Sequence, residues 1–282
     1  MTLRGEFEHF YAAKWAKGTG FWVDRYPAWL GLYADLCHQR NREILAALPE
    51  QVEVAVDLGC GIGDIVALLA PRARLTVGID LAQVNLITCR ENLADTRGVG
   101  LALGSAERLP FRDGTVDAII MADVIEHVVD RDAVLAELAR VLRPGGHAVL
   151  VTPDAKVHGA IGRLDGAADL ALQTARRLLR AARGRPHTPP APRGSDVYEE
   201  FLTRDELAAL VTRHGLRTTR HTNVAFYPGP EGGGTFAYFL SLLRGRDRLR
   251  MQLVEPVLRP LFALAARARR FNQKQMIVAT KD

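Results

Sequence analysis

The sequence predicts an α/β protein built on a parallel, doubly wound sheet, with a helical segment ahead of it and helical insertions behind. Two observations carry that prediction. From residue 53 onward, short apolar runs alternate with helical patterns, each pair about the length of one βα unit. The first run also ends in a glycine turn, Gly59-Cys60-Gly61-Ile62-Gly63, where open α/β sheets hold ligands just beyond their strand ends.

The elements follow in order. Residues 5–48 read as helices, because Phe7, Phe10, Tyr11 and Trp15, and then Leu30, Tyr33, Leu36 and Leu45, recur at helical spacing. Residues 52–57 form a first strand, and Ile65, Leu68 and Leu69 mark the helix after the glycine turn. A second strand covers 74–80 and a second helix 82–94; further strands cover 99–103 and 116–121. Asp130 can cap a helix to Leu142, which Pro144-Gly145-Gly146 ends before a fifth strand at 147–152. Residues 155–183 look helical, and 184–192, rich in proline, form a loop. Thr203-Arg204-Asp205-Glu206 is a capping box opening a helix to about Arg213. A strand at 216–226, helices near 234–250 and 254–270, and a last strand at 275–280 complete the chain. The expected division is a helical cap at 1–50 and a ligand-binding core at 51–154. An insertion or lid at 155–200 and the rest of the sheet at 201–282 follow, the latter with a basic helical insertion near 228–273.

Composition sets outer limits. With 282 residues, 48% hydrophobic and 24% charged, the chain has the makeup of a packed domain rather than a disordered one. Cys37, Cys60 and Cys89 are odd in number and far apart, which argues against a disulfide framework and for a reducing compartment. No Cys/His spacing suits zinc, so no metal is expected. The N-terminus lacks an apolar leader and no apolar run approaches the ~20 residues of a membrane span, so the expected placement is cytoplasmic. Charge is uneven: residues 1–154 hold 15 basic and 21 acidic side chains, and residues 155–282 hold 22 and 11. The second half either faces something acidic or carries a solvated basic face.

The glycine turn carries the chemistry. Glycines adopt backbone angles closed to other residues and let a ligand lie against the main chain. A GxGxxG fingerprint fails here, since Asp64 stands three residues after Gly61. Asp57, at the tip of the first strand, suits a cationic ligand group better than a pyrophosphate. Asp80 ends the second strand, where a carboxylate can accept both hydroxyls of a ribose.

Further along stand Ser105-Ala106-Glu107-Arg108-Leu109-Pro110-Phe111, Glu126-His127-Val128 and Leu142-Arg143-Pro144-Gly145-Gly146. With Asp57 to Gly63 and Asp80, in this order and spacing, these motifs resemble the class I S-adenosylmethionine-dependent methyltransferases over residues 53–153. The resemblance implies a seven-stranded, mostly parallel sheet whose last strand is antiparallel. It implies S-adenosylmethionine as cofactor and S-adenosylhomocysteine as product. It implies that Asp57, Gly59, Cys60, Gly61 and Gly63 lie beside the methionine part, joined by Tyr11. Asp80 and Leu81 would hold the ribose, Ser105 and Ala106 would border the adenine, and Met121 would offer its backbone. Many relatives have aspartate where this chain has Ser105, a neutral and weaker partner.

The acceptor is narrowed by elimination. Residues 121–124 match neither the tetrapeptide of adenine methyltransferases nor the Pro-Cys of cytosine enzymes, and the double-glutamate loop of arginine methyltransferases is absent. A small molecule remains. Within that class the chain resembles the ubiquinone-biosynthesis O-methyltransferase group and related natural-product enzymes, through Glu126-His127-Val128, Leu142 to Gly146, the long insertion and the helix announced by residues 200–207. Methylation of a hydroxyl needs a base near neutral pH, and His127 is the favoured one. Alternatively Glu126-His127-Val128 is a packing motif. Asp154 and His158 are the other rim candidates, with Asp154 equally suited to capping. Methylation at nitrogen or carbon, or of a membrane-resident lipid or quinone, stays open, as does a non-enzymatic regulatory or RNA-associated role, though no RNA-reading aromatic motif accompanies the charge. The basic helices in 155–185 and 239–271 suit either peripheral membrane contact or a lid and homodimer packing.

Overall fold

The computed structural model of the chain describes residues 40–157, 159, 199–224 and 274–282. The expected helices before residue 40, Tyr11, His158, the proline-rich loop and the basic helices of both insertions lie outside the described residues, as do the membrane and dimer contacts expected of them.

Seven strands make one sheet: β1 (Val52–Leu58), β2 (Ala73–Asp80), β3 (Val99–Leu103), β4 (Val116–Ala122), β5 (Leu142–Pro153), β6 (Leu216–Val224) and β7 (Lys274–Lys281). Their order is β3-β2-β1-β4-β5-β7-β6, so the direction of winding reverses between β1 and β4. Such a switch point opens a crevice beyond the two strand ends. The central strand β4 reads Val-Asp-Ala-Ile-Ile-Met-Ala and is buried through Met121, as befits a parallel strand covered on both faces. Strand β3, at the edge, is only half-buried. β7 runs antiparallel between β5 and β6 and opens on Lys274, paired with Pro153 and Val224. That reversal delivers Lys274 to the same edge of the sheet as the C-terminal ends of the parallel strands.

Helices cover both faces. Helices α3 (Arg131–Val141) and α4 (Arg204–Arg213) bury Val134, Leu135, Leu138, Leu207 and Val211 against Ile119, Met121 and Leu150. On the other face, Ile44 and residues Ile65 and Leu69 of α1 (Asp64–Leu69) pack on Ala55, Ala118, Ile120 and Val149. Helix α2 (Gln83–Asn92) packs Leu86 and Cys89 against Cys60 and Val66. Two caps expected from sequence form: Asp130 accepts from Ala133 N at 2.9 Å, and Thr203 and Glu206 close a capping box.

Some boundaries differ. Helix α2 is shorter at both ends than 82–94, and Leu68 is 37% exposed rather than core, because a six-residue helix has room for only one buried stripe. Pro144-Gly145-Gly146 ends α3 as expected, but it forms the irregular opening of β5, whose pairing jumps from Val116–Leu142 to Ala118–His147. Asp117 steadies that irregularity: it accepts from Val54 N at 2.7 Å and pairs with Arg143.

Candidate active site

The glycine turn leaves β1 with three left-handed residues, Gly59 (φ 70°), Gly61 (φ 54°) and Gly63 (φ 97°). Two of them are also sterically required. A Cβ on Gly59 would stand 2.2 Å from Val124 Cγ2, and one on Gly63 would stand 2.7 Å from Cys89 Sγ. Gly61 differs, since a Cβ there would meet nothing within 4 Å. The turn is lashed to β2: Gly59 N and Cys60 N donate to Ile79 O at 2.7 and 3.0 Å, and Gly61 N donates to Asp80 Oδ2 at 2.8 Å. Asp80 Oδ1 accepts from Ala82 N at 2.8 Å and from Asn85 Nδ2 at 3.0 Å. The Cys60 thiol packs into the α2 core beside Cys89, so only its main chain is available to a ligand.

Asp57 is buried at the tip of β1. Burial pushes its pKa well up; Arg40 opposes the rise while Asp80 and Asp64 add to it. A buried acid with an arginine in electrostatic reach is a combination that can complement a ligand end carrying both an ammonium and a carboxylate.

Across the crevice, Asp123 follows β4 in the left-handed region (φ 59°), its N donating to Val151 O at 2.8 Å. Arg40 Nη1 and Lys274 Nζ both lie 2.5 Å from its Oδ2, while Oδ1 is buried and has no donor among the described residues. Burial alone would raise the pKa of this carboxyl; Lys274 and Arg40, with a lesser contribution from His127, hold it below the ordinary range instead. Glu126 is buried next door, and burial together with the Asp123 charge pushes it up to about 8, which favours its neutral form. The Thr152 hydroxyl donates to Glu126 Oε2 at 2.9 Å.

The other expected residues fall as follows. His127 is half-buried in a single turn after β4, and its N donates to Val124 O at 2.9 Å. Met121 is fully buried between Leu58 and Leu150 and has only main chain near the crevice. Leu81 is half-buried beyond Asp80, and Ser105 and Ala106 are half-buried beyond β3. Ser105 Oγ accepts from Glu107 N at 3.2 Å. Asp154 is a cap: its Oδ1 accepts from Lys156 N and Val157 N at 2.9 and 3.3 Å, and its strand bridges Leu202. No metal-holding cluster of His, Cys, Asp or Glu occurs among the described residues.

A family model described as a methyltransferase domain matches residues 56–150, from β1 to β5. Ubiquinone biosynthesis O-methyltransferase of Rhizobium etli is 29% identical over 232 residues, 80% of this chain and 87% of that protein. The solved geranyl diphosphate C-methyltransferase of Streptomyces coelicolor superposes with a TM-score of 0.55 at 15% identity, covering 88% of this chain and 79% of that one. A methyltransferase of Methanosarcina mazei superposes at 0.54 with 17% identity, covering 85% and 96%. The chain carries a methyltransferase domain and is an S-adenosylmethionine-dependent methyltransferase, and the solved neighbours share its fold.

S-adenosylmethionine is therefore the cofactor of this methyltransferase, and the crevice fits it. Gly61 leaves open space over the main chain, and the buried Asp57 carboxyl stands at the tip of the same strand with Arg40 in electrostatic reach, a lining compatible with a charged methionine end. Sequence reasoning missed Arg40, Asp123 and Lys274 as a group, because they lie 83 and 151 residues apart along the chain. The antiparallel last strand was the available signal, since it brings its first residue to the catalytic rim.

Proposed function

We propose that the enzyme methylates a hydroxyl of a small, largely apolar molecule, with His127 as the base. The carrying observation is the rim itself: His127 stands within electrostatic reach of an ionised Asp123, next to the end of β4 and across from the glycine turn. The Rhizobium relatives, named as O-methyltransferases and aligned over most of their length, support the same reading.

In this reading Asp57 and Arg40 hold the charged methionine end, Gly59 to Gly63 shape the floor, Asp80 with Leu81 receives the ribose, and Ser105 and Ala106 border the adenine. Met121 contributes main chain. The cofactor supplies a methyl group bound to a cationic sulfur. The chain's own work is alignment of the acceptor oxygen and removal of its proton to an imidazole nitrogen of His127. Asp154, occupied as a cap, is not assigned a chemical role.

The insertion at 155–200 serves as lid. Its two stems meet at the rim, where Ala155 N donates to Leu202 O at 3.1 Å and Glu200 N to Glu126 O at 2.9 Å. The division at 1–50, 51–154, 155–200 and 201–282 and a cytoplasmic placement belong to the same proposal; no described helix is long and apolar enough to cross a membrane.

The test is a screen of phenolic, quinone, sugar and lipid acceptors with methyl-labelled cofactor, read by mass, followed by His127→Ala and His127→Gln on the acceptor found. Loss of kcat by about 100-fold or more, with the acidic limb of the pH profile gone, supports the base. An unchanged kcat in a folded variant removes His127 from the chemistry.

A further inference from the structure

The geometry points to Asp123 as the group that receives the acceptor's hydroxyl, with Lys274 and Arg40 as the residues that position it; this rests on the O-methylation reading above. Three observations converge. Asp123 sits one residue beyond the end of β4, on the crevice side of the sheet's switch point. Its backbone takes a left-handed angle (φ 59°), uncommon outside glycine, and that strain is retained where the chain needs a side chain in a fixed place. Both cations bind the same oxygen, Oδ2, at 2.5 Å, and Oδ1 is buried with no donor among the described residues.

A buried carboxylate oxygen with no donor is costly unless something fills the gap. An O–H donor on the acceptor meets that need. Two cations on Oδ2 also keep Asp123 ionised while the acceptor is bound, so it orients the hydroxyl and does not take its proton. As transfer begins the O–H turns from Oδ1 to a His127 ring nitrogen; the acceptor oxygen's lone pair then forms the new C–O bond, the C–S pair stays on sulfur, and His127 takes the proton and releases it to solvent. Asp123 enters and leaves the step as a carboxylate.

Lys274 is the part particular to this arrangement. It is 14% exposed, it starts β7, and its charge also acts on Glu126, so it ties the last strand to both acids of the rim. Removing it would let Asp123 turn toward Arg40 alone and lose the angle at which Oδ1 is offered.

The test uses phenol as probe and anisole, which has no O–H, as control, with S-adenosylhomocysteine bound. Aspartate carboxyl carbons are labelled with carbon-13 and the Asp123 resonance is assigned with Asp123→Asn. Phenol is expected to move that resonance and anisole not. Lys274→Met is expected to raise the Asp123 titration midpoint and weaken phenol by about tenfold or more, with Lys274→Arg within about threefold of wild type. If Lys274→Met does not fold, the phenol–anisole contrast in wild type and Asp123→Asn decides alone. No phenol effect on Asp123 in wild type, or equal phenol affinity in a folded Lys274→Met, overturns the proposal. Phenol bound at Asp123 while the labelled product proves to be methylated at nitrogen or carbon leaves this site standing and contradicts the O-methylation reading instead.

Discussion

Replacing Asp80 by alanine separates the structural task of that carboxylate from the ribose contact proposed for it. In the folded chain it accepts hydrogen bonds from Gly61 N at 2.8 Å, Ala82 N at 2.8 Å and Asn85 Nδ2 at 3.0 Å. Asp80 is buried, and so are Ala82 and Asn85, so the variant orphans donors that water reaches poorly. Bonds to a charged acceptor contribute roughly 1.5–3 kcal/mol each, but they share one carboxylate and the Gly61 donor can turn to solvent. The expected loss of stability without cofactor is therefore about 2–4 kcal/mol, read as a shift in the denaturant midpoint. Loss of the ribose contact removes roughly another 1.5–3 kcal/mol from binding, about 10- to 150-fold in Kd for S-adenosylhomocysteine by calorimetric titration. Unchanged stability would mean that Asp80 does not anchor the glycine turn. Unchanged affinity in a folded variant would mean that the ribose is held elsewhere.

Three other outcomes follow from the same geometry. Asp57→Asn should leave cofactor-free stability equal or higher, because it removes a buried charge, yet weaken S-adenosylhomocysteine by about tenfold or more; a loss of stability without loss of affinity contradicts the ammonium assignment. Glu126 is raised from 4.5 to about 8, so its contribution is full below pH 4.5 and is lost as pH rises toward and through 8. Glu126→Gln should flatten that fall, by an amount on the order of a few kcal/mol between the two limits, in denaturation curves taken across pH; an unchanged slope refutes the burial account. Asp154→Asn should keep about half or more of kcat on an identified acceptor while shifting the denaturant midpoint, and a collapse of kcat alone would return Asp154 to the chemistry.

How much of this was legible in the chain depends on distance along it. Strands β1 to β5 announce themselves because each is an apolar run closed by its own punctuation, and the candidate site residues Asp57, Asp80 and His127 follow from where those runs end. Local chemistry was equally readable at Asp130 and at Thr203 with Glu206, where cap and donor are three residues apart. The ion group on Asp123 was not, since Arg40 and Lys274 reach it only through sheet order and an antiparallel strand. Nor does a sequence show that Glu126 is sealed while His127, its neighbour, is half-open; that depends on Thr152 and on the returning segment at Glu200. Asp154 looked like a rim acid from its place after β5, and only the positions of Lys156 N and Val157 N show that its oxygen is already engaged.

The central claim is that the cofactor lies against the main chain at Gly61, and titration of S-adenosylhomocysteine into Gly61→Val tests it most directly. Gly61 has a left-handed φ of 54° and open space above it, so a valine there strains the backbone by about 1–2 kcal/mol and fills the volume assigned to the ligand. The account predicts a folded variant, verified by its circular dichroism and a cooperative melt, whose affinity has fallen by about 100-fold or more. A folded Gly61→Val protein that binds S-adenosylhomocysteine as tightly as wild type would contradict it.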